Sequence, residues 1–122
     1  MLFRSPPVLI GSWGGATWIP RAAREFDGWI ASGARSSVRA LEDGIRDFRQ
    51  AGGTRAIVTN IPCDLRGGTE PLETDGPFHL RCSAAEARER LAWLAELGFD
   101  DAVFMLPDRD ADHLEALRRL WS

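Results

Sequence analysis

The residues best suited to chemistry form a glycine-containing stretch near the amino terminus, Gly11-Ser12-Trp13-Gly14-Gly15-Ala16-Thr17. It follows the apolar run Pro7–Gly11 and precedes a predicted helix over Thr17–Phe26, with Pro20 in its first turn. Glycines let a backbone approach a phosphate closely, and a helix N-terminus offers free N–H groups and a partial positive charge. The stretch therefore predicts a phosphate-binding loop, to which Ser12 and Thr17 add hydroxyl donors.

The same stretch has a plainer interpretation. Gly14-Gly15 makes a tight strand-to-helix turn and Thr17 caps the helix, as in many proteins without a ligand there. Trp13 also has two interpretations: it packs beside a bound ligand, or it fills the space under the loop as part of the core.

Other reactive side chains form weaker patterns. Asp108–Asp112 begins like a calcium loop, but His113 stands where that loop needs glycine and Arg119 where it needs a bidentate glutamate, so we interpret it as a polar, helix-capping turn. A further group has metal-ligating side chains without a closed zinc spacing: Cys63, His79, Cys82 and His113. No Ser-His-acid or Cys-His arrangement has local support, so the sequence identifies no catalytic residue and no metal site.

Composition narrows the class of protein. A chain of 122 residues with 44% hydrophobic and 27% charged residues has the profile of one globular domain. Arginines alternate with acidic residues and the net charge is −3, which argues against a nucleic-acid surface. No apolar run suits a membrane span or an export signal. We therefore expect a cytoplasmic protein in which Cys63 and Cys82 are free thiols.

Strands and helices alternate along the chain. Short apolar runs predict buried strands at Pro7–Gly11, Asp27–Ala31 and Asp101–Leu106. Helices are predicted after Ser36 or Ser37, after a capping box at Ser83–Glu86 and before Gly98, and at the C-terminus with a cap formed by Asp112 and Glu115. This order is typical of an α/β fold with a parallel sheet.

One stretch departs from that alternation. The segment Arg55–Ile61 is rich in β-formers but mixed, with Thr59 and Asn60 interrupting its apolar residues. We expect it to be a less buried strand outside the main sheet. Residues 62–77 lack periodicity and are predicted to form a surface loop or an insertion.

Three stretches, "PVLIGSWGGAT", "RAAREFDGWIAS" and "CSAAEARERLAWLAELGFDDAVFMLPD", resemble in order and spacing the end of the bacterial luciferase-like monooxygenase family. The resemblance implies an α/β fold that is the C-terminal part of a TIM (β/α)8 barrel, with residues 1–122 as a single partial-barrel domain. Pro7–Gly11, Asp27–Ala31 and Asp101–Leu106 would then be barrel strands six to eight, and residues 55–80 an insertion-type region.

The resemblance also implies a function. Members are flavin- or deazaflavin-dependent oxidoreductases, and the loop equivalent to Gly11–Thr17 holds the phosphate of FMN or of a deazaflavin. The chain would be part of such an enzyme, with an unidentified small-molecule substrate. Because the first five barrel strands have no counterpart, the chain alone would be incomplete, and its open sheet edges predict self-association or a partner chain. The alternative is a non-catalytic half-barrel that acts as an assembly or binding module.

Overall fold

The computed structural model describes residues 5–12 and 17–121, in which strands and helices alternate. The elements along these residues are β1 (Leu9–Gly11), α1 (Trp18–Glu25), β2 (Gly28–Ser32), α2 (Val38–Gln50), β3 (Ala56–Asp64), β4 (Leu80–Arg81), α3 (Ala84–Leu97), β5 (Asp101–Met105), α4 (Ala111–Arg118) and a closing 3-10 turn at Arg119–Trp121. None of the helices within these ranges has the length and apolarity that a membrane span needs.

The strands form one parallel sheet. β1 pairs with β2, β2 with β3, and β3 with β5, while the short β4 pairs with the last two residues of β3. The predicted α/β fold with a parallel sheet is confirmed, and the strands at Leu9, Trp29 and Val103 belong to that sheet.

The position of β3 corrects an expectation. The strand predicted to lie outside the main sheet lies between β2 and β5. The reason is local: Asn60 has φ of 53°, and the register with β5 shifts between Val58 and Ile61. Such a bulge inserts residues that break the inward-outward alternation, and asparagine tolerates the left-handed conformation. The strand also continues through Pro62 to Asp64, into the stretch predicted to be a loop.

The helices pack on one face of the sheet. Trp29 of β2 is 1% exposed and contacts Phe48 of α2 and Phe99, with ring centroids 6.0 and 5.7 Å away. Leu41 and Ile45 complete the buried stripe of α2, as its spacing predicts. Alternate residues of β3, Ala56, Val58, Ile61 and Cys63, point into this core.

Helix ends follow most of the predicted signals. Ser37 and Ser83 accept hydrogen bonds from Ala40 N–H and Glu86 N–H, and Gly98 ends α3 with φ of 113°. The reciprocal half of the capping box is not formed, because Thr69 Oγ1 accepts the Ser83 N–H.

The cap of α4 also differs from the prediction. Its N-cap is Asp110, which accepts from Asp112 N–H at 2.9 Å, so the assignment of the cap to Asp112 is wrong. The interpretation of Asp108–Asp112 as a helix-capping turn is confirmed, since Asp108 in turn accepts from Asp110 N–H at 3.2 Å.

A buried arginine anchors the segment between β3 and β4. Arg90 of α3 is 5% exposed and donates to the carbonyl oxygens of His79 at 3.0 Å and Glu70 at 2.6 Å. Its charge is balanced by Glu86, 3.2 Å away. The segment is therefore fixed to the core although it lacks regular structure.

Candidate functional site

The predicted phosphate loop lies at the carboxyl end of β1. Gly11 is the last residue of that strand and is exposed, and α1 begins at Trp18. Ser12 is fixed to β2 through two bonds: its N–H donates to Ile30 O, and Trp29 Nε1 donates to its carbonyl oxygen, both at 3.1 Å. The four central residues of the predicted loop, Trp13, Gly14, Gly15 and Ala16, lie outside the described residues.

The start of α1 has the features of an anion-accepting helix end. Thr17 is the N-cap residue of α1, as the plainer interpretation has it, but its φ and ψ of −84° and −44° are helical and its side chain makes no capping bond. The first turn contains no acidic residue. The first N–H groups of a helix have no intrahelical partner and favour an anion. In α1 these donors are the N–H groups of Trp18, Ile19 and Arg21, since Pro20 has none.

The neighbouring strand ends are closed by internal hydrogen bonds. Thr59 Oγ1 donates to Ala31 O at 3.1 Å, and the N–H groups of Gly33 and Ala34 donate to Thr59 O and Asn60 O. The polar residues that interrupt β3 thus hold β2 and β3 together at this edge. They do not point to a ligand.

A charged cluster that the sequence analysis missed lies at the carboxyl ends of β3 and β5. Arg66 contacts Asp64 at 3.1 Å, Asp108 at 2.7 Å and Asp110 at 3.5 Å. Hydrogen bonds from Arg66 hold the pKa of Asp64 below its ordinary value; the pKa of Asp108 is lowered first by the Asp110 N–H and then by Arg66. These carboxylates are ionised partners of one guanidinium, which makes them poor proton donors.

His113 extends this cluster into the core. The residue is 2% exposed, and its Nε2 accepts the Leu65 N–H at 3.1 Å, which leaves the proton of the neutral ring on Nδ1. Nδ1 lies 3.9 Å from Asp108 Oδ1 and has no hydrogen-bond partner in the described part of the chain. Because Nε2 is occupied by a backbone donor, the imidazole joins α4 to the end of β3 and is not placed as a general base.

A signal for this cluster was present in the sequence. Asp64 and Arg66 follow one strand and Asp108 and Asp110 follow another, and the carboxyl ends of parallel strands share one edge of a sheet. The sequence prediction ended this strand at Ile61, and so it did not place these four residues at one edge of the sheet. A shallow cleft of about 320 Å³ opens there, lined by residues that include Pro62, Arg81 and Met105.

The two cysteines are buried and free, as predicted. Burial raises the pKa of the Cys63 thiol to about 12 and also raises that of Cys82. Thiolates are the reactive form, so neither residue suits nucleophilic chemistry. Among the residues that the structure describes, no three His, Cys, Asp or Glu side chains are grouped to hold a metal ion.

These observations define the class of the chain as an α/β protein with a parallel sheet and a strand-to-helix loop at its carboxyl edge. No protein-family model matches the sequence, and no curated protein and no solved structure is significantly similar to it.

Proposed function

We propose that this chain is the cofactor-phosphate-binding part of a flavin- or deazaflavin-dependent oxidoreductase of the luciferase-like kind. The observation that carries the proposal is the position of residues 11–17, between the carboxyl end of a parallel strand and the uncapped N-terminus of α1. Ligands of parallel α/β sheets bind outside the carboxyl ends of the strands. The resemblance of this segment to the family supplies the cofactor class.

The residues present suit a phosphate group. Gly11 and Thr17 are exposed at the two ends of the loop, and Ser12 is partly exposed between them. The Thr17 hydroxyl and the first N–H groups of α1 are donors, and no acid in that turn opposes an anion. When bound, a flavin or deazaflavin supplies the redox chemistry. The residues of this chain hold its phosphate end.

Within the α/β class, we propose that the fold is the C-terminal part of a (β/α)8 barrel. Because β3 lies inside the sheet, the resemblance maps better onto the last four barrel strands, β1, β2, β3 and β5, than onto the last three. Each of these strands is a parallel neighbour of the next, which is the order that a barrel wall requires. Residues 65–79 then form the insertion.

A non-catalytic assembly module is the second candidate function. It is favoured by the state of the ionisable groups at the carboxyl edge: Asp64 and Asp108 are committed to Arg66, and Cys63 has a raised pKa. None of these three described residues at the carboxyl edge is therefore placed for proton transfer.

Titration of the purified chain with FMN, riboflavin and a deazaflavin cofactor tests the proposal. Fluorescence of each compound should change on binding, and FMN should bind about tenfold or more tightly than riboflavin, which lacks the phosphate; tenfold corresponds to about 1.4 kcal/mol of phosphate contacts. Unchanged fluorescence for both cofactors at high micromolar protein would leave only the assembly module.

A pair of variants locates the site. Gly14→Val places a branched side chain in the predicted loop and should abolish the preference for FMN. Gly67→Val is the matched control, because a Cβ at Gly67 meets nothing within 4 Å and the residue lies in the segment after β3. Retention of the preference in Gly14→Val would move the phosphate site elsewhere.

A further inference from the structure

The helices of the described residues leave one face of the sheet uncovered. Ala102 and Phe104 of β5 pack with the core, so Val103 and Met105, which alternate with them, point to the opposite face. Register places Ile57 and Pro62 of β3 on that side, next to Asp101 and Met105. We call this the inner face; its apolar side chains are Leu9, Ile30, Ile57, Pro62, Val103 and Met105.

The inner face is apolar and partly open to water. Val103 and Met105 are 50% and 44% exposed. Asp101, the first residue of β5, is paired with Arg55, so its charge is balanced. Parallel sheets in known folds are covered on both faces, and an open apolar face of this kind indicates a missing layer.

Among the described residues, the outer edges of β1 and β5 have no pairing strand. In the described ranges, β1 pairs only with β2, and β5 pairs only with β3. The large hydrophobic side chains that are exposed fall into two groups at these edges: Val8, Trp18 and Phe26 beside β1 and α1, and Val103, Met105 and Leu114 on β5 and α4. An apolar groove of about 590 Å³ runs between β5 and α4, lined in part by Phe104, Leu114 and Leu117.

We propose, on the basis of the barrel fold proposed above, that a second copy of this chain takes the place that the first four strands have in a single-chain barrel, with β1 of each copy pairing in parallel with β5 of the other. A partner must supply one parallel strand that pairs with β5 and another that pairs with β1. A second copy of the chain has both, since its own β1 and β5 are the edge strands. Two copies contribute four strands each, and eight is the number at which parallel βα units close into a barrel. The inner faces then meet as the core of that barrel, and each α1 lies against the groove beside α4.

The size of the surface agrees with this occupant. The six exposed side chains present on the order of 500 Å², since large apolar side chains each expose about half of ~150–200 Å². The inner-face residues and the two strand edges raise the area toward the ~800 Å² per partner that stable complexes bury. Because a two-fold axis repeats the contact, neither β1 nor β5 keeps an open edge in either copy.

Light scattering during size-exclusion chromatography of the flavin-free chain tests the proposal. The expected mass is twice 13.5 kDa. Val103→Glu or Met105→Lys should give a monomer with unchanged circular dichroism, whereas Ala92→Glu, on the exposed side of α3, should stay dimeric. A wild-type protein that is monomeric at 100 µM, or whose measured mass keeps rising with its concentration, would overturn the proposal of a closed dimer.

Cross-linking checks which edges meet, including the case in which the charged variants fail to fold. In a Leu9→Cys, Val103→Cys chain treated with a short bis-maleimide, peptides of β1 should be joined to peptides of β5 from another copy. The native cysteines are buried and react slowly, so they add little background. Cross-links between β5 of one copy and β5 of another would refute the pairing of β1 with β5. The test uses no cofactor, so its result stands apart from the flavin titration.

Discussion

Replacement of Gly44 by alanine should destabilise this protein, although alanine is the better helix former. Gly44 lies in the middle of α2, where alanine gains about 1 kcal/mol of helix propensity. A Cβ at this position would lie 2.5 Å from Trp29 Cη2 and 3.0 Å from Cζ2. The Trp29 ring is 1% exposed and is held by Phe48 and Phe99, so it has no space into which to move.

Overpacking of this kind costs about 1–3 kcal/mol, and we expect it to exceed the propensity gain here because the overlap involves a fixed aromatic ring. The free energy of unfolding should therefore fall by about 1 kcal/mol or more, measured by urea denaturation followed by circular dichroism. In a Trp29→Phe background, which removes the contacting atoms, Gly44→Ala should become neutral or stabilising. An equally stable or more stable Gly44→Ala protein with Trp29 in place would refute this account of the core.

Two more predictions concern the segment fixed by Arg90. Burial, and then the charge of Arg90, lower the pKa of His79 below 6.5, so the unfolded chain binds the proton first and the free energy of unfolding should fall as the pH drops below about 6.5. Urea denaturation at pH 7.5 and 5.5 should show this difference and His79→Gln should reduce it; an equal difference in the variant would assign it to other groups. Arg90→Met removes the donor from the buried carbonyl oxygen of His79 and from the part-buried carbonyl oxygen of Glu70, and it should cost about 2–3 kcal/mol. The exposed Arg88→Met should cost little, and equal losses would contradict the anchoring role.

Elements with strong local signals could be predicted from the sequence. The stripe of α2, the Ser83 cap and the Gly98 stop depend on residues within one or two turns of each other, and the structure has them where expected. The N-cap of α4 was misplaced by two residues, because Asp110 and Asp112 have the same capping chemistry and only the backbone decides between them.

The central strand could not be predicted with the same success. Its alternation is broken by the bulge at Asn60, and proline at position 62 argues locally against a strand. Both features lie where the pairing changes: β2 pairs with β3 only as far as Thr59, and the register with β5 shifts between Val58 and Ile61. Such a change of partner is a property of the tertiary fold. The same limit applies to the charged cluster, in which Arg66 meets Asp110 across 44 positions of sequence.

The location of the candidate loop, by contrast, follows from the order of the elements alone. A glycine-containing connection between a parallel strand and its helix must lie at the carboxyl edge of the sheet. Because β1 is also an edge strand among the described residues, its carboxyl end at Gly11 lies beside whatever strand completes the sheet. If that strand is β5 of a second copy, the carboxyl end of β1 in one copy lies beside the carboxyl end of β5 in the other. A cofactor held by the loop would then extend over residues of both copies, and the wall that one chain lacks would come from its partner.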